Sequence, residues 1–151
     1  MAASAYLDGL KLLARRELSE VQIRQRLVKK DHPSDDIDAA VDRLKAERVL
    51  DDARVAEMIA RTQTAHKGRG RRRVIQAIER AGISRELAKQ ATDEVFGALD
   101  EDAHLAAALD KRVGGRRIGD EAEMRRLFRY LAGQGFESGR IIAALKARRR
   151  G

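Results

Sequence analysis

The sequence predicts an all-α fold of three tandem three-helix repeats, elongated and curved, each carrying a helix-turn-helix-like unit. Three observations lead there. First, Gln22-Ile23-Arg24-Gln25-Arg26-Leu27 leads to Asp31 and then Ile37, Ala40 and Val41; Arg73-Val74-Ile75-Gln76-Ala77-Ile78 leads to Gly82 and then Ala88, Ala91 and Thr92; Arg126-Leu127-Phe128-Arg129-Tyr130-Leu131 leads to Gly135 and then Ile141, Ala144 and Leu145. With Asp31, Gly82 and Gly135 aligned as pivots, the apolar positions share their offsets, and a period of roughly fifty residues marks an array whose units bury one another's apolar faces. Second, aromatic residues are only 3% and the single proline is Pro33, while Ala, Leu, Arg, Lys and Glu dominate, which favours helices over strands. Third, capping residues punctuate the chain where the helical stripes begin.

The repeats are expected at 1–50, 51–99 and 100–151. In the first, Tyr6, Leu10, Leu13 and Ala14 recur at helical spacing and predict a helix over 5–17. Ser19 followed by Gln22 is a capping box that starts a second helix, running to about residue 30. His32, Pro33 and Ser34 turn into a third, with Ile37, Ala40, Val41 and Leu44 as its stripe and Asp35, Asp36 and Asp38 in its first turn, where they suit the helix dipole. Asp51 reads as the N-cap of a fourth helix carrying Val55 and Ile59; helices over 71–81 and 85–98 follow the basic loop at 66–70. Residues 100–112 open the third repeat with Leu105 and Leu109 on one face. Gly114, Gly115 and Gly119 mark a loop, and Asp120 with Glu123 offers a second capping box ahead of helices over 121–133 and 138–149.

Composition excludes several classes. Each repeat alone sits near the size at which burial becomes marginal, so stacking is needed for stability. No cysteine is present, which excludes disulfides and thiolate metal sites. The amino terminus lacks the apolar core of a signal peptide and no run approaches membrane-spanning length, so a cytoplasmic monomer without membrane contact is expected. His32, His66 and His104 are isolated, with no metal-ligand spacing, and no nucleophile and base are organised together; neither enzyme activity, a metal nor a cofactor is expected.

Charge narrows the partner. Lys and Arg number 32 against 24 acids, a formal net charge of +8 that suits a polyanion or an acidic protein surface. Residues 31–58 hold nine acids against four bases and residues 111–150 twelve bases against four acids, so the molecule is polarised along its length. The sharpest feature is His66-Lys67-Gly68-Arg69-Gly70-Arg71-Arg72-Arg73. Its glycines permit close backbone approach to a partner, and Lys67, Arg69, Arg71, Arg72 and Arg73 offer donors to phosphate or carboxylate. Cations at a helix N-terminus oppose the macrodipole, so Arg71, Arg72 and Arg73 are not explained by local stability. Arg116, Arg117, Arg125, Arg126 and Arg129 are candidates to continue the basic face, since 125 and 129 lie one helical turn apart. Arg148, Arg149 and Arg150 read as a mobile terminal tail. The turn at Gly82 or Gly135 has the look of a DNA-reading helix-turn-helix, but the equivalent helix of the first repeat presents Asp35, Asp36, Asp38 and Asp42, which phosphates repel. The motif is read as architecture.

Four strings, Leu13-Ala14-Arg15-Arg16-Glu17-Leu18-Ser19, Val49-Leu50-Asp51-Asp52-Ala53-Arg54-Val55-Ala56, Lys67-Gly68-Arg69-Gly70-Arg71-Arg72-Arg73-Val74-Ile75 and Tyr130-Leu131-Ala132-Gly133-Gln134-Gly135-Phe136, resemble the bacterial RecX family of recombination regulators. The resemblance spans nearly the whole chain. Departures are modest: Asp31 stands where glycine is usual, Val55 where Phe is common and Arg71 where proline is frequent. The resemblance implies a non-enzymatic regulator of homologous recombination and the SOS response, lying in the groove of the RecA filament on single-stranded DNA and lowering ATP hydrolysis, strand exchange and co-protease activity, with weak binding to duplex DNA. Two alternatives stand beside it: a general sequence-independent DNA-binding protein acting by occupying DNA, and a helical adaptor whose arginines are merely solvated.

Overall fold

The computed structural model describes residues 4–149. Among them run nine α-helices: α1 (Ala5–Arg15), α2 (Glu20–Lys29), α3 (Ser34–Ala46), α4 (Asp52–Arg61), α5 (Arg71–Arg80), α6 (Arg85–Gly97), α7 (Glu101–Val113), α8 (Glu121–Gly133) and α9 (Ser138–Arg148); a π-helical turn, Thr62–His66, continues α4. The fold is all-α. Substantial helix packing lies within the triplets α1–α3, α4–α6 and α7–α9, so the molecule is a linear array of three-helix units.

Caps decide where the helices start. Ser19 accepts from the Gln22 N–H while the Gln22 side chain accepts from the Ser19 N–H, the full reciprocal box. Ser4, Asp51, Ser84 and Asp100 cap α1, α4, α6 and α7 through their side-chain oxygens. The box at α8 is only half formed: Asp120 accepts from the Glu123 N–H, but the Glu123 carboxylate takes the Gly119 N–H instead of closing on Asp120. Helix α1 stops at Arg15, two residues short of the expected end, because Arg16 is extended and delivers Leu18 into the core ahead of the Ser19 cap.

Each triplet has its own apolar core, and the three share one register. Eight and four residues before the pivot stand Ile23 and Leu27, Val74 and Ile78, Leu127 and Leu131; six and ten after it stand Ile37 and Val41, Ala88 and Thr92, Ile141 and Leu145, all buried. Thr92 is accommodated because its hydroxyl donates to the Ala88 carbonyl at 2.7 Å. The pivots Asp31, Gly82 and Gly135 have φ of 63°, 82° and 98°, the left-handed conformation that ends α2, α5 and α8.

Triplets meet through turns. The pivot turn of one repeat abuts the start of the middle helix of the repeat before it. Ser19 Oγ donates to the Ala81 carbonyl, and a Cβ on Gly82 would lie 2.6 Å from that of Val21. At the second junction the Gly70 N–H donates to the Gln134 carbonyl (2.9 Å) and the Arg72 N–H to the Gly135 carbonyl (3.2 Å). Asp31 is exposed, so the first pivot tolerates a side chain that Gly82 and Gly135 have no room for.

Candidate nucleic-acid interface

The basic segment is strapped at both ends. Lys67 and Arg69 donate their N–H groups to the carbonyls of Thr62 and Gln63, and Gly70 donates to Gln134 of the third repeat. The close partner that Gly70 admits is therefore Gly135 of the same chain. Gly68 has φ 62°, and a Cβ added to it would meet nothing within 4 Å. The Arg69 carbonyl takes a hydrogen bond from His104 Nε2 at 2.8 Å; a carbonyl only accepts, so that nitrogen carries the hydrogen. The His104 ring sits between Phe96 and Phe136, centroids 5.8 Å and 5.6 Å away.

The arginines divide into two kinds. Arg71 places Nε on Glu101 (2.8 Å) and Nη1 on Asp93 (2.6 Å), with its guanidinium over the Phe96 ring. Burial works against its charge, but these two carboxylates outweigh it and raise its pKa. This corrects the expectation that Arg71 has no structural reason to stand at a helix N-terminus: it ties the second repeat to the third, and two of the N–H groups at the start of α5, those of Gly70 and Arg72, are met by the Gln134 and Gly135 carbonyls. Arg73 likewise donates to the Gly133 carbonyl at 2.9 Å. Arg69 is half-buried, its Nε without a partner. Lys67 and Arg72 are exposed and form no ion pair among the described residues.

In the third repeat, Arg116 forms a two-pronged pair with Glu123 (2.9 and 2.8 Å) and Arg117 donates to the Ala147 carbonyl (3.0 Å). Both brace the loop before α8. Arg125, Arg126 and Arg129 are exposed on α8 without ion pairs among the described residues. Arg125, Arg129 and Gly133 follow one another along one stripe, so the Arg73 bond to Gly133 joins that stripe to the segment at 67–73. Arg126, Tyr130 and Gln134 form the adjacent stripe. The expected mobile tail is instead anchored as far as it is described: Arg148 pairs with Asp110 and donates to the Gly114 carbonyl, Arg149 pairs with Glu121 at 2.6 Å, and the Ile118 N–H donates to the Arg148 carbonyl. Arg150 lies outside the described residues.

Arg61, Lys111 and Arg112 were not singled out from the sequence. Arg61, Lys67 and Lys111 rim a cavity of about 460 Å³ between the second and third repeats, and the Arg112 guanidinium lies 4.0 Å from the Tyr130 ring centroid. In sequence, Lys111 and Arg112 look like ordinary complements to the end of α7, and Arg61 pairs with Glu57 one turn away. Only the seating of one repeat on the next brings them together. At the opposite end much of the acidity is matched: Arg24 pairs with Asp38 (2.6 Å), Lys45 with Glu20 (3.0 Å) and Arg54 with Glu17 (3.1 Å), while Asp35, Asp36 and Asp42 remain exposed. Among the described residues no cluster of three metal-ligating side chains occurs, and no helix is long and apolar enough to cross a membrane.

Comparison with known proteins gives a single answer. The sequence model of the first three-helix domain of RecX matches residues 5–44, and that of the second matches residues 51–91. A regulatory protein RecX from Acidithiobacillus ferrooxidans is 34% identical over 141 residues, covering 93% of this chain and 88% of its own. Another from Halorhodospira halophila is 30% identical over 149 residues, covering 97% and 89%. The crystal structure of RecX from Lactobacillus salivarius superposes with a TM-score of 0.77 over 95% of this chain and 93% of that one, at 18% identity, which speaks to the fold.

Proposed function

Because the chain belongs to the RecX family of regulatory proteins, we propose that it is a non-enzymatic regulator of homologous recombination and the SOS response that binds the RecA filament on single-stranded DNA and inhibits RecA ATP hydrolysis, strand exchange and co-protease activity. The observation that supports this reading is the placement of the unpaired cations. Lys67 and Arg72 flank the second junction and Arg125, Arg126 and Arg129 stand on α8 beyond it, all exposed, so open positive charge spans two repeats of a linear array and suits a filament repeating along its axis. The exposed acids of the first repeat lie elsewhere on the array and orient it against a mixed protein and DNA surface. The protein acts as a cytoplasmic monomer and binds duplex DNA weakly.

The test is titration of the purified protein into a RecA–DNA filament, reading ATP hydrolysis. Inhibition should set in well below the concentration needed to coat naked DNA. Inhibition only near that concentration favours the second reading, a sequence-independent DNA-binding protein acting by occupancy, which the same exposed cations would serve. No inhibition at either concentration refutes both.

A further inference from the structure

The cavity between the second and third repeats joins an apolar floor to a cationic rim. Val95 comes from α6, Leu99 from the turn that follows it, Ala107 and Ala108 from α7, and Tyr130 from α8, while the exposed Arg61, Lys67 and Lys111 stand at the edge. At about 460 Å³ it falls within the roughly 300–1,000 Å³ of sites that hold small organic groups. Phosphate contact alone needs only the rim. A recess under the cations requires a guest that is anionic at one end and apolar at the other.

Two further features say which guest. Polar groups that the fold leaves unused gather here: the Gln134 side-chain amide has no intramolecular partner among the described residues, and Thr64, 4% exposed, has a hydroxyl with none. A second pair of buried orphans, Gln63 Oε1 and Arg69 Nε, lies on the same segment, which includes the π-helical turn, a distortion that recurs at functional sites. The lining, in addition, combines small side chains with an aromatic one: Ala107 and Ala108 stand with Tyr130, whose ring already carries the Arg112 guanidinium 4.0 Å from its centroid, a set that suits a planar ring better than a branched aliphatic side chain.

We infer that this cavity receives one nucleobase of single-stranded DNA, with Lys67, Lys111 and Arg61 on the flanking phosphates and Gln134 on the base edge. The inference rests on the reading above that the junction face contacts the strand. Base–aromatic stacking is sequence-tolerant, so the site holds a strand without selecting its sequence.

The test compares an oligonucleotide of about 15 nucleotides with the same strand carrying abasic sugars, by fluorescence anisotropy with the full chain. The intact strand should bind about five- to tenfold more tightly, the lower part of the range for one stacked base. Ala107→Phe, at an exposed position, fills the cavity and should abolish that preference without changing the affinity for the abasic strand; Gln134→Ala, at the C-cap of α8, should reduce it. Lys67→Glu with Lys111→Glu should weaken both strands. Equal binding of the two strands with salt dependence intact overturns the base pocket and leaves the filament reading standing. A preference untouched by Ala107→Phe overturns it too, as does loss of RecA inhibition in Ala107→Phe with the strand preference unchanged, which would make the guest a protein side chain. Failure to bind either strand removes the strand contact on which the inference rests.

Discussion

Gly70 and Gly135 face each other across the second junction with no room for a side chain on either. A Cβ on Gly70 would lie 2.6 Å from the Gly135 carbonyl oxygen, and one on Gly135 would lie 2.5 Å from the Arg73 Cβ. The obstructing atoms are mostly backbone, so the clash is not relieved by a rotamer change. Two repeats separated by more than fifty residues in sequence are held at backbone contact.

Gly70→Ala should therefore destabilise the protein. Its φ of −85° suits any residue, so the cost is steric, about 3 kcal/mol at the upper end for overpacking. That corresponds to a fall of roughly 6–12 °C in Tm by circular dichroism. Gly97→Ala, in open space at the end of α6, should be neutral or stabilising by up to about 1 kcal/mol. Equal melting of the two variants contradicts the junction argument.

Deleting the third repeat from Ala103 onward should leave the α4–α6 core assembled but less stable. The deletion removes the 134–135 carbonyls that meet the N–H groups of Gly70 and Arg72, and with them the His104 ring packed on Phe96. A truncated protein melting at the full-length temperature would show that the repeats are energetically independent.

Arg71→Ala and Arg72→Ala should separate stability from binding. Losing the Glu101 and Asp93 pairs and the Phe96 contact should cost about 1 kcal/mol for Arg71, a partly exposed pair. Arg72→Ala should change stability by less than about 0.5 kcal/mol, yet lower the log–log salt slope of single-strand binding by about 0.7, one phosphate's share. With roughly five phosphates neutralised by the wild type, that slope should be about −3.5. A thermal melt and a salt titration of each variant decide the matter.

Acid should loosen the loop between α7 and α8. The Arg116 guanidinium, with help from the Gly119 N–H, lowers the Glu123 pKa from 4.5 to about 2. A carboxylate depressed in the folded state contributes stability that is complete above 4.5 and lost as pH falls through about 2, because the unfolded chain takes up the proton first. Tm should fall across that window, and Arg116→Ala should shrink the fall and move the Glu123 midpoint upward in a carboxyl NMR titration. An unmoved midpoint would mean that the pair does not persist in solution.

Much of the fold is legible in the sequence because it is local. The pivots, the stripes around them and the Ser19 box depend on helical periodicity and on backbone conformations that neighbouring residues dictate, so Ile23, Val74 and Leu127 announce equivalent core positions before any coordinates are seen. The candidate site is legible only in part. Lys67, Arg72 and the α8 arginines stand exposed where a basic face needs them, whereas Arg71, Arg73, Arg116, Arg117, Arg148 and Arg149 are spent on bonds to partners that helical spacing cannot reveal.

Family, fold and the three-fold register were determined by the sequence alone, since each is written in residue types at short, fixed separations. Tertiary structure decided which cations are free and where a cavity opens. Arg71 meets Glu101 thirty residues away, and Lys67 shares a rim with Lys111 only because Gly70 and Gly135 let the second and third repeats close to backbone contact. A charge advertises its sign in the sequence, but its partner is chosen by a distance of a few ångströms that only the packing of one repeat on the next sets.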